Sequence, residues 1–407
     1  MLITTPDCLE DIDAIPCYGY QVSYHREPVH IPYPANLTAT STSVNPPEGR
    51  SFHHGRFVRR LRDAARSTPN VTIVESTVTD VVKDTYTKQV LGVECQTAGR
   101  PDFYFGSLTL VCDGYASKFR KEYITKTPEV RSKFWGLELI DAELPMPNHG
   151  HVVLSNAPPI LIYQIGTHET RILVDVPENL PSASVKAGGI KNHLLNVALP
   201  NLPECVRPSF RNAIEAGKFR SMPNSFLPPT TQKTRGMIIL GDAMNMRHPL
   251  TGGGMTVAFS DVVTLSKLLS PENVPNLEDT NSVLSAMSEF HWKRKSSSSV
   301  INILAMALYS LFAANDSALL ALQKGCFRYF QRGGKCIEEP CGLLAGLLKN
   351  PVVLVYHFFA VAFYAVWCRL TESPVWKAPY VVLVESMLII WKACVVIGPY
   401  LLAEVKR

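Results

Sequence analysis

Two short stretches combine residue types and spacings that can do chemistry. In LGDAMNMRHPLTGGGM, residues 240–255, Gly241 and Asp242 end an aliphatic strand, and Gly252, Gly253 and Gly254 open an apolar helix ten residues later. In open α/β folds the carboxyl end of a strand is where ligands sit, and a carboxylate there can accept hydrogen bonds from a polyol's hydroxyls. Glycines without Cβ let a ligand approach the backbone. The N–H groups of the helix continuing through Met255, Val257 and Ala258 favour developing negative charge. A polyol bearing a ring that becomes anionic satisfies both ends, and reduced flavin is such a ligand. The alternative is a glycine-rich junction in which Asp242 merely caps a helix.

The second stretch, DGYASKFR at 113–120, again directly follows an aliphatic strand. Alone it reads as a turn beside a basic patch. His248, between the two halves of the first stretch, is a candidate base or a structural member of the loop.

These residues need elements to hold them. FHHGRFVRRLRDAARS puts Phe57, Leu61, Ala64 and Ala65 on one face and Arg59, Arg62, Asp63 and Arg66 largely opposite, which predicts an amphipathic helix. VTIVESTVTDVVKD, QVLGVECQT and FYFGSLTLVCDG alternate as strands do. HVVLS, ILIYQIG and TRILVDVP predict an antiparallel meander. Residues 36–50 read as a surface loop, and the Pro-rich stretch from Met222 to Gly236 as a connection back to the strand MIILGD.

From residue 286 helix dominates. Asn350-Pro351 is an N-cap and first-turn pair for 17 residues from Val352 to Cys368, stopping at Arg369. The last apolar segment carries Glu385 and Lys392 on one face. Three readings of this tail are open: membrane-embedded or monotopic helices, a two-span hairpin, or a buried helical core. Aromatic and basic residues at the segment ends, including Trp367, Trp376, Lys406 and Arg407, favour an interface.

Composition bounds the class. A net charge of +5 without an aromatic-rich basic stripe sets nucleic acid aside, so no nucleic-acid partner is expected. The ten cysteines form no C-x-x-C pair and no zinc-like cluster, so reduced thiols and no metal are expected. Sequons at Asn36, Asn70 and Asn315 are then unused, and the N-terminus lacks the features of a signal peptide.

Taken in order, the two stretches resemble the flavoprotein monooxygenases built like p-hydroxybenzoate hydroxylase, with D-G-x-x-S-x-x-R and then G-D-A-x-x-x-x-x-P-x-x-G-x-G. HHGRF at 53–57, CDGYASKFRK at 112–121, PILIYQI at 159–165, RSMPNSFLP at 220–228, GDAMNMRHPLTGGGMTVAF at 241–259 and FFAVAFY at 358–364 look like the squalene monooxygenase (squalene epoxidase) family. The resemblance implies an incomplete Rossmann-type α/β FAD-binding domain, a β-rich substrate domain and a C-terminal helical membrane-associated region. It implies these segments: substrate domain 1–53 and 120–240, FAD-binding domain 54–119 and 241–309, and membrane-associated helices 310–407. It implies FAD-dependent epoxidation of squalene in sterol biosynthesis through a C4a-hydroperoxyflavin. Electrons would come from NADPH through a membrane-bound cytochrome reductase at the cytosolic face of the endoplasmic reticulum or on lipid droplets. Carried over residue by residue, Arg56, Asp113, Asp242 and Met255 look like FAD contacts, with Gly241 and the three glycines. Tyr20 and Tyr163 match tyrosines lining the substrate pocket.

One departure stands out. The family's G-x-G-x-x-G and following acidic residue occur nowhere in the 407 residues. The expectation is an enzyme whose dinucleotide fingerprint precedes Met1. The other expectation is an inactive truncated paralogue that persists as a membrane-associated binding or vestigial protein.

Overall fold

The computed structural model describes residues 6–35 and 47–405. Residues 36–46, with the sequon at Asn36, and Lys406 and Arg407 lie outside the described residues.

The expected meander forms. Gly150–Leu154, Ile160–Gln164 and Glu169–Pro177 pair antiparallel in sequence, inside a seven-stranded sheet. Glu129–Ile140 and then Arg220–Phe226 extend it beyond Glu169–Pro177. On the other side Gly19–Tyr24 pairs in parallel with Gly150–Leu154, and Glu27–Pro32 closes that edge. Side chains alternate across the sheet. Leu137, Leu139, Ile160, Ile162, Ile172 and Val174 pack on Leu194, Phe210 and Ile214. The opposite face carries Tyr20, Leu161, Tyr163, Leu173 and Gly136, as their pairing registers require.

Two stretches read as loop contain strand. Gly49–Ser51 pairs with Ile15–Cys17, so the 36–50 surface loop ends in a short ladder. The Pro-rich connection begins inside Arg220–Phe226, where Pro223 is tolerated because an edge strand leaves one row of N–H groups unused. Conversely, only Thr77–Lys83 of the first predicted strand joins a sheet; Val71, Ile73 and Val74 before it are exposed.

A separate two-stranded parallel pair joins Thr109–Val111 to Met237–Ile239, with Leu110 opposite Ile238. Ile238 and Ile239 are buried against Leu265, Phe290 and Met287. The pair is short, but it sets the ends of two strands distant in sequence side by side.

The helix His54–Arg66 forms as its pattern predicts, burying Phe57. Gly254–Leu268 and the 33-residue Thr280–Phe312 follow the second strand. Asn350 caps the next long helix by accepting from the N–H groups of Val352 and Val353. That helix runs through Arg369 to Glu372, because Arg369 is paired with Glu385 of the following helical segment at 2.6 Å. Lys392 likewise pairs with Asp316 at 2.6 Å. The polar residues that interrupt the apolar segments thus join neighbouring helices. Pro351–Glu372 and Val381–Val405 have mean hydropathies of 1.8 and 2.2 and are long enough to cross a membrane. Phe363, Trp367, Met387, Leu388 and Trp391 are exposed on them, so these helices are not a buried core.

Candidate active site

The parallel pair delivers two loops to one place. At the end of Thr109–Val111, Asp113 is exposed and its carboxylate accepts from the Lys118 N–H at 2.9 Å. At the end of Met237–Ile239, Gly241 turns with a φ of +64°, a left-handed value that favours glycine, and Asp242 stands exposed. Arg120 fastens the two loops together. Only 6% exposed, it donates from Nε to the Ala243 carbonyl at 2.9 Å and from Nη2 to the Tyr115 and Gly114 carbonyls at 2.6 and 3.1 Å. Burial lowers its guanidinium from the ordinary value, and the carboxylates of Asp113 and Asp242 oppose that shift.

Beyond Asp242 the chain is pinned from beneath. The Asn245 N–H donates to the Gly241 carbonyl at 3.0 Å, and its Nδ2 donates to the Leu227 carbonyl at 2.8 Å. His248 is 1% exposed; its Nδ1 accepts from the Leu250 N–H at 3.2 Å, and its ring stacks on Tyr309 at 3.8 Å. Burial lowers this imidazole to about 3. A neutral, enclosed ring that caps the Pro249–Thr251 turn is a structural member of the loop, the second of its two sequence readings.

The three glycines have three different surroundings. Gly252 has a φ of +64°. A Cβ on Gly253 would meet Ile301 Cγ2 at 2.5 Å, so this glycine admits the long helix. A Cβ on Gly254 would meet nothing within 4 Å, and this residue begins Gly254–Leu268 with no side-chain cap. Its first-turn N–H groups are therefore open to a ligand.

A cavity of about 520 Å³ brings the turn and the sheet together. Its lining includes Tyr20, Tyr163, Leu161, Leu173, Gly252, Gly253 and Met255. Burial raises both tyrosine hydroxyls above their ordinary value. Tyr33 lines the same cavity, edge-on to Tyr20 at 5.6 Å, and nothing in the sequence pattern singles it out. Arg56 lies elsewhere. It reaches Asp13 at 3.3 Å and lines a second, basic cavity of about 1010 Å³ with Arg59, Arg60, Arg171, Lys218 and Arg220.

Beside His248, at 3.9 Å, lies a buried carboxylate outside every sequence motif. Asp175 is fully buried and accepts from Ser132 at 2.5 Å, Asn224 at 2.9 Å and Tyr309 at 3.1 Å, while burial raises it to about 6. Arg120, by contrast, was legible as the last residue of D-G-x-x-S-x-x-R. Its bridging role needed the fold.

The family model for squalene epoxidase matches residues 105–383. The squalene epoxidase of Aspergillus fumigatus is 61% identical over 98% of this chain and 82% of its own length. The squalene monooxygenase of Mus musculus is 40% identical over 98% of this chain and 68% of its own. Among solved structures, Klebsiella pneumoniae HpxO complexed with FAD and uric acid superposes with a TM-score of 0.60 at 15% identity, covering 85% of this chain and 84% of that one. Pseudomonas aeruginosa PqsL, in complex with 2-aminobenzoylacetate, gives 0.60 at 18%, covering 75% and 80%. At these identities the superpositions speak for the fold, a p-hydroxybenzoate-hydroxylase-like one. With its sheet, its paired loops and relatives that match 98% of it in agreement, the chain belongs to the squalene epoxidase family.

Proposed function

We infer that this protein epoxidises squalene to 2,3-oxidosqualene in sterol biosynthesis, with FAD as its cofactor. The observation that carries the reading is the 61% identity with a squalene epoxidase across 98% of the chain. An inactive membrane-associated paralogue has no observation in its favour.

The residues present fit a flavin. Asp242 offers an exposed carboxylate for the polyol, near Asp113 on the partner loop. Gly252 and Gly254 leave open space at the helix end, where N–H groups favour an anionic ring. When bound, FAD supplies the activated oxygen. The chain's part is to position and to exclude water: Met255 flanks the glycines, and Tyr20 and Tyr163 close the cavity around an apolar substrate. Arg56, in the basic cavity, would hold a negatively charged group of the cofactor.

Electrons come from NADPH through a membrane-bound cytochrome reductase, and O2 is the second substrate. The exposed apolar faces of the two C-terminal helices embed in lipid at the cytosolic side of the endoplasmic reticulum or on lipid droplets. Residues 1–53 and 120–240 serve substrate, 54–119 and 241–309 serve FAD, and 310–407 serve the membrane.

The test is flavin uptake followed by turnover. The chain in vesicles is titrated with FAD, then given squalene, NADPH and reductase. Flavin retention and squalene consumption are expected; retained flavin with squalene untouched would overturn the substrate, and no flavin uptake would favour the inactive paralogue over the enzyme.

A further inference from the structure

The apolar segment Val381–Val405 ends in a carboxylate that it has no reason to carry as a membrane anchor. Glu404 is only 7% exposed. Burying a charge is costly unless it is paired and hydrogen-bonded. Its Oε1 accepts from Asn302 Nδ2 of the long helix at 2.8 Å, and that same Nδ2 lies 3.2 Å from Asn245 Oδ1. Lys295 Nζ donates to the Glu404 backbone carbonyl.

Asn245 is the hub of this arrangement. Its Oδ1 also takes Arg247 Nη2 at 3.0 Å and Arg294 Nη2 at 3.0 Å. Arg294, 1% exposed, is held by both oxygens of Asp261 at 2.9 and 2.8 Å. Asn245 and Arg247 lie between Asp242 and Gly254, so the loop that offers both ends of the flavin site stands on this buried network. Arg247, Arg294 and Lys295 face Asp261 and Glu404, with Asp242 also acting on Arg247 and Lys126 on Lys295. Removing Glu404 takes away one of the carboxylates that act on Arg247 and Lys295 and leaves Asn302 without its acceptor on the terminal helix, and breaking a buried ionic network by removing one partner is strongly destabilising.

We propose that Glu404 is a positioning residue for the loop 241–254: docking of the terminal helix, through Asn302 and Asn245, orders the flavin end of the site. The tail is then a functional support as well as a membrane element. The proposal rests on the flavin reading of that loop. Because coupling between two binding events is reciprocal, flavin bound at the loop must in turn hold the terminal helix in place.

Hydrogen exchange on the full chain in detergent tests it, with Glu404→Gln, Glu404→Leu and, as a control on the same helix, Leu402→Ala at a residue 60% exposed. Without flavin, amides of the loop 241–254 should exchange roughly tenfold faster in Glu404→Leu, since a charge-assisted buried hydrogen bond is lost. Glu404→Gln keeps an acceptor oxygen and should fall between, while Leu402→Ala should match the parent. Loop exchange unchanged in Glu404→Leu would overturn the proposal. With FAD added to the parent chain, the last turns of the terminal helix should gain protection, and Glu404→Leu should bind FAD roughly tenfold more weakly. A terminal helix unmoved by bound FAD would also overturn it. A parent chain that takes up no FAD sinks the cofactor reading, and the flavin-free exchange still decides the role of Glu404. Should Glu404→Leu unfold as a whole, Glu404→Gln and the parent chain with FAD decide the matter.

Discussion

Single residues carry the sharpest expectations. Asp242→Ala removes a charge-assisted hydrogen bond worth roughly 1.5–3 kcal/mol, so FAD should dissociate at least tenfold more readily. Equal flavin content would contradict the polyol role. Gly253→Ala places a methyl against Ile301 and should cost about 1–3 kcal/mol of stability, read in thermal unfolding; an unchanged midpoint would show that the helix can yield. His248 gives a pH signature. Its imidazole falls from 6.5 to about 3 on folding, so the unfolded chain binds the extra proton between those values. The stability this group contributes is present above 6.5 and is lost as pH falls toward 3, about 2 kcal/mol by pH 5. Asp175 runs oppositely: raised from 3.8 to about 6, its contribution is fully present below 3.8 and is lost as pH rises from there through about 6. His248→Asn keeps an acceptor for the Leu250 N–H and should flatten the acid loss measured by denaturant unfolding. An unaltered slope would refute a buried neutral ring. The exposed carboxylate of Asp242 and the open space at Gly254 were legible in sequence because each is a cost without local compensation. Gly253 was not separable from its neighbours, because what fills its missing Cβ comes from a helix some 50 residues away.

At the level of elements, the account depends on two loops held by one guanidinium. Arg120→Ala should cost several kcal/mol, since it leaves the Ala243 and Tyr115 carbonyls without their donor and the Gly114 carbonyl with only the Ser117 N–H. Arg120→Lys should rescue little, because an ammonium cannot span these carbonyls as the planar fork does. Thermal unfolding with and without FAD reads both, and full rescue by lysine would show that charge alone suffices. The meander was readable because alternation and turn residues act locally. Arg220–Phe226 was not, since Pro223 hides a strand whose edge position only the assembled sheet reveals. The same holds for the tail: Glu385 and Lys392 looked like interruptions of a span, and they turn out to face Arg369 and Asp316 on other helices.

For the whole molecule, the exposed apolar faces of Pro351–Glu372 and Val381–Val405 are consistent with membrane association. The first helix is roughly 33 Å long, comparable to a bilayer's hydrocarbon core. Deletion from Val352 onward should shift the protein from the membrane fraction to soluble or aggregated material, and unaltered pelleting with membranes would refute the tail as an anchor. The fold class was legible from paired motifs, while the network joining tail to loop was not, because its members lie far apart in the chain. The most direct measurement of the central claim is isotopic. Membranes carrying this chain, loaded with FAD and supplied with NADPH, reductase, squalene and 18O2, should yield 2,3-oxidosqualene with one 18O atom in the epoxide; flavin-loaded protein that leaves squalene unchanged, or an epoxide without the label, would contradict it.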